Sequence, residues 1–369
     1  MKRYTITPCL AALLVALLVL TPSAARASGS FIGPFDTVRT VASTVPTNGD
    51  VNPYGVAVVP RSNGNLVKDQ VLISNFNAKS NLQGTGTTIV EISASGARRL
   101  FATINAANLH GSCPGGVGLS TALVVLRSGW VIVGSLPTTD GTSKTAKAGC
   151  LIVLDSWGHV AESFAGGHIN GPWDMTAFDM DDEAALFFTN VLNGTVAAGG
   201  QVVNGGTVVR MNLAIADGQK PRLISSTVIG SGFPERTDPA ALVIGPTGLG
   251  LSGDGKLYVA DSLDNATDAI PFALFRTSAA GPDLVSKGIA LNDPLGLAMA
   301  PNGDILTVNG NNGRIVETTP SGVQVAMELL DSTGSPPGAG TLFGLAVVPG
   351  GSGIYFVDDG TNTLNLLHD

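Results

Sequence analysis

The stretch Gly245–Ala266, GPTGLGLSGDGKLYVADSLDNA, decides the fold. A Pro-x-Gly-Leu entry leads to a Gly-Asp-Gly turn at Gly253 to Gly255, followed by the apolar run Leu257 to Ala260. A short β-rich run bounded by turn residues reads as a buried strand. The same grammar returns at Pro294 to Asn309 (PLGLAMAPNGDILTVN) and again from Leu342 to Asp358. The anchors Pro246, Pro294 and Leu342 follow one another at intervals of 48 residues. A period in the forties built only of short strands is the mark of a propeller, with one four-stranded blade per repeat.

Working outward, the chain opens with the basic Lys2 and Arg3, an apolar run from Leu10 to Leu20, and Ala25-Arg26-Ala27. That is the layout of a secretory signal peptide over residues 1–27, its apolar part too short to span a bilayer. The expectation is a secreted or periplasmic protein, cleaved near Ala27, with residues 28–369 forming a single domain. Removing Lys2, Arg3 and Arg26 leaves 17 basic residues against 28 acidic ones. A chain of that balance with no basic cluster excludes nucleic acid as a partner and membrane insertion is not expected. The 48 glycines and low charge content describe a turn-rich β protein, expected to be monomeric. Two cysteines remain after the leader, Cys113 and Cys150, and an even pair in an oxidising compartment predicts one disulfide.

Strand segments fill six blades in order. Blade one is expected over Asn52–Pro60, Val71–Asn77, Thr88–Ser93 and Arg98–Ile104. Blade two takes Ala122–Leu126, Trp130–Val133, Cys150–Asp155 and His159–Phe164. Blade three takes Trp173–Phe178, Ala185–Asn190, Thr207–Asn212 and Arg222–Ile229. Blade four is expected over Gly248–Leu251, Leu257–Asp261, Phe272–Arg276 and Leu284–Ile289. Blade five takes Gly296–Ala300, Ile305–Asn309, Arg314–Thr318 and Val323–Leu329. Blade six has three strands only, Gly344–Val348, Ile354–Asp358 and Thr363–Leu367. The strand-like Asp36–Val45 completes it from outside, which closes the ring and removes the open sheet edges. The expected fold is therefore an all-β, six-bladed β-propeller. Its surplus residues fall in long loops around 78–87, 136–149, 191–206 and 230–245.

The pattern Pro-x-Gly-Leu-Ala, Gly-Asp/Gly-x-Leu-Tyr-Val-Ala-Asp-Ser, Arg-Ile resembles the NHL-repeat propellers, and more distantly the senescence-marker and gluconolactonase propellers. Blades four and five carry it best, through Asp261 and through Asn309 with Arg314-Ile315. The resemblance implies a fold that hosts lyases, lactonases and binding modules alike. It also implies that loops between strands two and three, and between blades, share one face, where a ligand would bind.

Three candidate constellations follow. The residue after each entry proline is Tyr54, Thr121, Trp173, Thr247, Leu295 or Phe343, where the gluconolactonase-like relatives carry metal-binding Asn and Asp. An aromatic mouth of Tyr54, Trp173 and Phe343, with Asp174 beside it, suits a protein, a peptide or a small apolar ligand. The second strands end at Asn75, Ser135, Asn190, Asp261, Asn309 and Asp358, a rim of oxygens that calcium would accept or that caps turns. His110, His168 and Asp174 supply donors of the kind zinc takes. No nucleophile elbow, phosphate loop or HExxH motif is present. The favoured expectation is a secreted NHL-like ligand- or protein-binding or interaction module, with the question of catalysis left open and leaning against it. The alternatives are a metal-dependent hydrolase or lyase on the loop-bearing face near the axis, and a structural surface protein.

Overall fold

The computed structural model describes residues 29–369, so the expected leader lies outside the described residues. Twenty-five strands and one short 3-10 turn make up its regular structure. The strands group into six sheets arranged as a ring, the six-bladed β-propeller expected. Blade one is β2 (Val51–Val58), β3 (Val71–Asn77), β4 (Thr88–Ile92) and β5 (Arg98–Thr103). Blade two is β6 (Leu119–Val125), β7 (Val131–Ser135), β8 (Cys150–Leu154) and β9 (Val160–Phe164). Blade three is β10 (Gly171–Asp179), β11 (Glu183–Val191), β12 (Val203–Ala214), β13 (Arg222–Asp238) and β14 (Leu242–Ile244). Blade four is β15 (Pro246–Leu251), β16 (Leu257–Asp261), β17 (Ala266–Ile270) and β18 (Asp283–Lys287). Blade five is β19 (Pro294–Met299), β20 (Ile305–Asn309), β21 (Arg314–Thr318) and β22 (Gln324–Leu329). Blade six is β23 (Leu342–Val347), β24 (Ile354–Asp358) and β25 (Thr363–His368), finished by β1 (Thr37–Ser43).

The N-terminal strand closes the ring as expected, pairing antiparallel with β25 from Thr37 opposite His368 to Ser43 opposite Thr363. A short arm before it reaches across to blade five. There the Glu317 carboxylate accepts the backbone N–H groups of Phe31 at 2.7 Å and Ile32 at 2.9 Å. Ile32 is fully buried, and it packs with Phe35 into the core shared by blades five and six.

The core is distributed, with separate apolar clusters wedged between neighbouring blades. What sets the inner ring is a bulge repeated at the same place in all six first strands, for instance between Pro53 and Val56 and between Pro294 and Leu297. At this bulge the inner strands nearly touch. A Cβ on Gly296 would lie 2.1 Å from the Phe343 carbonyl oxygen, and one on Gly344 would lie 2.1 Å from that of Tyr54. Only glycine permits that approach, which is why the repeat carries Gly there. Blade three places Asp174 at this level instead, and its carboxyl accepts the N–H of Met175 at 2.7 Å beside Leu249 of the next blade.

Two expected elements differ. The third strand of blade four is Ala266–Ile270, not Phe272–Arg276. A tight turn with Asn265 at φ 53° brings the chain straight back, while Phe272 and Phe275 stand 73% and 81% exposed on the following turn. The segment around 230–245 is not a loop: β13 continues through it to Asp238, and β14 folds back onto it from Asp238 opposite Leu242 to Arg236 opposite Ile244. The loop expected over 191–206 is likewise shortened by the early start of β12 at Val203.

Candidate functional site

The β13–β14 hairpin lies over one mouth of the central channel, on the face that carries the strand-two-to-three turns and the blade connections. Under it is a cavity of about 360 Å³. Tyr54, Trp173 and Phe343, expected at the mouth, are brought together there, joined by Phe76. Tyr54 stacks on Phe343 with ring centroids 4.0 Å apart and meets Trp173 edge-on at 6.0 Å. Phe76 meets Trp173 at 5.6 Å, nearly perpendicular. The two edge-on contacts to Trp173 are favoured aromatic geometries. Tyr54 and Trp173 are buried, so the rings make a packed floor rather than an open mouth.

The rim above the floor is polar. Asn52, Gln83, Asp293 and Asp359 line it with Arg236 and Asp238 from the hairpin. Asp293 Oδ1, Asn52 Oδ1 and Gln83 Oε1 are buried acceptors without a hydrogen-bond partner. Burial, then the charge of Asp238, pushes the Asp293 carboxyl up to about 6. Asp359 is pushed up to about 6 by burial and by Asp358. The Tyr54 hydroxyl is pushed well up by burial and then by Asp174, Asp293 and Asp359, which places these acids around the same ring.

The hairpin is held from three sides. The buried Glu235, raised to about 7 by burial, accepts the N–H groups of Leu192 at 2.8 Å and Asn193 at 2.9 Å. Asp238 Oδ1 accepts those of Ala240 at 2.8 Å and Ala241 at 3.1 Å, which fixes the tip. Gln83 Nε2 donates to the Ala240 carbonyl from blade one. Arg236 Nη1 lies 2.9 Å from Asp238 Oδ2.

Asp174 lies below the floor, lining a separate small cavity of about 40 Å³ with Tyr54, Val56 and Leu249. Burial raises its carboxyl to about 8. His110 and His168 are exposed in their loops, and they do not converge with Asp174. Of the strand-end rim, Asn190 Oδ1 accepts from the backbone of Asn170 and Gly171, and Asn309 Oδ1 from that of Asn292. Asp261 and Asp358 each cap the turn that follows, accepting from Asp264 and Thr361. Asn75 donates to the Thr44 carbonyl and Ser135 to that of Gly116. Among the described residues, no group of three or more His, Cys, Asp or Glu stands ready to hold a metal ion. The axial positions present rings, a leucine and the Thr247 hydroxyl, so oxygen donors for calcium come instead from the rim, where Asn52, Gln83, Asp293 and Asp359 line the cavity.

The disulfide between Cys113 and Cys150 is formed, with Cα atoms 5.2 Å apart, and it suits an oxidising, extracytoplasmic compartment. No helix of the described residues is long and apolar enough to cross a membrane.

The residues that sequence reasoning missed are Asp293, Asp359, Arg236, Asp238 and Gln83. One signal was available: the residue before the entry proline is Asn52 in blade one and Asp293 in blade five, and both face the cavity.

Solved propellers share this fold. A gluconolactonase from Xanthomonas campestris superposes with a TM-score of 0.55 at 12% identity, covering 90% of this chain and 89% of that one. The virginiamycin B lyase of Staphylococcus aureus gives 0.52 at 14% identity, over 90% of this chain and 99% of its own. A calcium-binding regucalcin from Agrobacterium tumefaciens gives 0.53 at 13%, over 88% and 92%. No family model matches the chain, and no curated protein matches it in sequence. The expectation of a binding module, leaning against catalysis, is corrected here, because solved neighbours of this fold are named as a lactonase and a lyase. At these identities the likeness itself carries the fold, and the activity has to be argued from the site.

Proposed function

We propose that this chain is an enzyme of the hydrolase or lyase class, with its reaction site in the cavity beneath the β13–β14 hairpin. The reading supported best is cleavage of an ester or lactone on a small hydroxylated substrate, outside the cytoplasm and after removal of the leader near Ala27. The observation that carries it is Asp293: a half-buried carboxyl, held near neutrality, with one oxygen buried and unpartnered in the cavity. A base poised near the working pH is what general acid–base catalysis needs. Asp359, also near 6, is the second such group on the same cavity.

In this reading ionised Asp293 takes a proton from water as its oxygen attacks the acyl carbon. Protonated Asp359 gives a proton to the departing alkoxide oxygen, and the acyl–oxygen bond breaks. The unpartnered acceptors Asn52 Oδ1 and Gln83 Oε1 favour a substrate rich in hydroxyl donors, and the aromatic floor favours one with a flat apolar face. Asn52 Oδ1, Gln83 Oε1, Asp293 and Asp359 are oxygen donors of the kind calcium takes and would be the residues to hold such an ion; every step here is carried by the protein's own groups.

The test is a panel of sugar lactones and aryl esters assayed with the mature protein and with Asp293→Asn. Turnover of at least one substrate, cut about 10²- to 10⁴-fold by the substitution, is expected. A variant as active as the parent would remove Asp293 from the reaction. No turnover across the panel would remove the class.

A further inference from the structure

We infer that Arg236 forms a carboxylate subsite at the roof of the cavity, one that reads the acid end of a hydroxy-carboxylate. The inference rests on the cavity being the reaction site, and it concerns which part of the ligand is held where. Arg236 is the one basic side chain lining the cavity. Its guanidinium is committed at Nη1 alone, to Asp238 at 2.9 Å and to the Thr237 carbonyl at 3.4 Å. Nε and Nη2 carry three further N–H donors with no protein acceptor, on a side chain one-third exposed. A planar guanidinium with an open edge is matched by a carboxylate, which accepts two parallel hydrogen bonds.

Arg236 is the one cation on a wall that otherwise presents acceptors and the carboxyls Asp238, Asp293 and Asp359, so it is the one place there where a carboxylate meets donors. The other cavity-lining polar groups without partners are acceptors, Asn52 Oδ1, Gln83 Oε1 and Asp293 Oδ1. Acceptors of this kind suit hydroxyls and repel a carboxylate, so a ligand carrying both groups has only one orientation. Its hydroxyls meet Asn52 and Gln83 on the blade-one rim, and its carboxyl end meets the hairpin. Asp238 holds the hairpin tip through Ala240 and Ala241, so the anchor sits on a braced element. Hydrolysis of a hydroxylated ester releases such a carboxylate, which makes the subsite the product's anchor and the seat of the substrate carbonyl before cleavage.

The experiment is calorimetric titration of the mature protein with D-gluconate and with D-glucitol, which share a hydroxyl chain and differ in the carboxylate. Gluconate should bind at least about tenfold tighter, as a charge-assisted pair of bonds implies. Arg236→Gln should lose that tenfold for gluconate and leave glucitol unchanged. Arg236→Lys should recover only part, because the ammonium lacks the fork. A loss for both ligands would mean that Arg236 only holds the hairpin, and that overturns the subsite. Equal binding of the two ligands by the parent overturns it as well, as does binding of neither. Gluconate bound in this way by a protein that turns over no ester would sink the proposed reaction and leave the subsite standing.

Discussion

Replacing Asp174 by asparagine tests the channel directly. The carboxyl is held up to about 8 by burial, against an ordinary value of about 3.9. Between pH 5 and 8 the folded protein therefore keeps a proton that the unfolded chain has released. For an acid whose folded value is raised, the cost is absent below the unfolded value and complete above the folded one, so stability falls as pH rises. The slope is at most about 1.4 kcal/mol per pH unit, which gives roughly 4 kcal/mol over the three units. Polar relaxation around a partly exposed carboxyl reduces this, and about 2–4 kcal/mol is the working figure. Asparagine has the shape of the protonated acid and still accepts from Met175, but does not titrate. Urea unfolding of both proteins at pH 5, 6.5 and 8 should show an advantage for Asp174→Asn that grows by a further ~2–4 kcal/mol between pH 5 and pH 8. The other raised acids, such as Glu235, act equally in both proteins and cancel. A difference that stays constant across pH would refute the argument.

Three further outcomes follow from named contacts. Activity should be bell-shaped around pH 6, falling on the acid side as Asp293 protonates and on the alkaline side as Asp359 loses its proton; in Asp293→Asn the acid limb should vanish from the pH–rate profile. Replacing both Cys113 and Cys150 by alanine opens a loop of sequence separation 37. The chain-entropy relation puts the loss at up to about 4 kcal/mol, and urea midpoints unchanged by the pair of substitutions would contradict it. Glu317→Ala orphans the N–H groups of Phe31 and Ile32 at the arm that precedes β1. The expected cost is ~1–3 kcal/mol, with faster hydrogen exchange confined first to Phe31–Phe35; an unchanged exchange map would show that the arm is held by its apolar packing alone.

The blades were legible because the repeat records a geometric demand. Glycine after the entry residue is there since no Cβ fits between inner strands, as at Gly296 and Gly344, so the motif marks the ring wherever it occurs. The closing strand was legible from the missing fourth strand of blade six. The third strand of blade four was not, because ATDAI reads as polar while PFALFR is the apolar run. In the fold Asp268 and Thr267 are buried in the sheet, and the phenylalanines are left outside. The β13–β14 hairpin was hidden by Gly230, Gly232, Pro234 and Pro239, which punctuate it like a loop. Its pairing depends on buried Glu235 reaching back to residues 192–193, a contact that no local pattern encodes.

Polar residues that recur with the repeat and polar residues that break it have separate fates. Asn190, Asp261, Asn309 and Asp358 recur at one strand end, and each is spent on the backbone of a neighbouring turn. A propeller needs such a cap in every blade, so periodicity there reports construction. Asp174 stands where a glycine belongs, Asp293 and Asn52 precede only two of the six entries, and Arg236 sits on a hairpin that only blade three possesses. Three of these four line one cavity and the fourth lies directly beneath its floor. Raised carboxyls occur among the construction residues too, Asp261 at about 7 and Asp268 at about 6, so what sets the irregular group apart is its position on one cavity and the buried oxygens of Asp293 and Asn52 left without partners. Their convergence is the physical reason to place the chemistry at this mouth of the channel. By the same reasoning, substituting a periodic cap should cost stability and leave ligand binding intact, and substituting Asp293 or Arg236 should do the reverse.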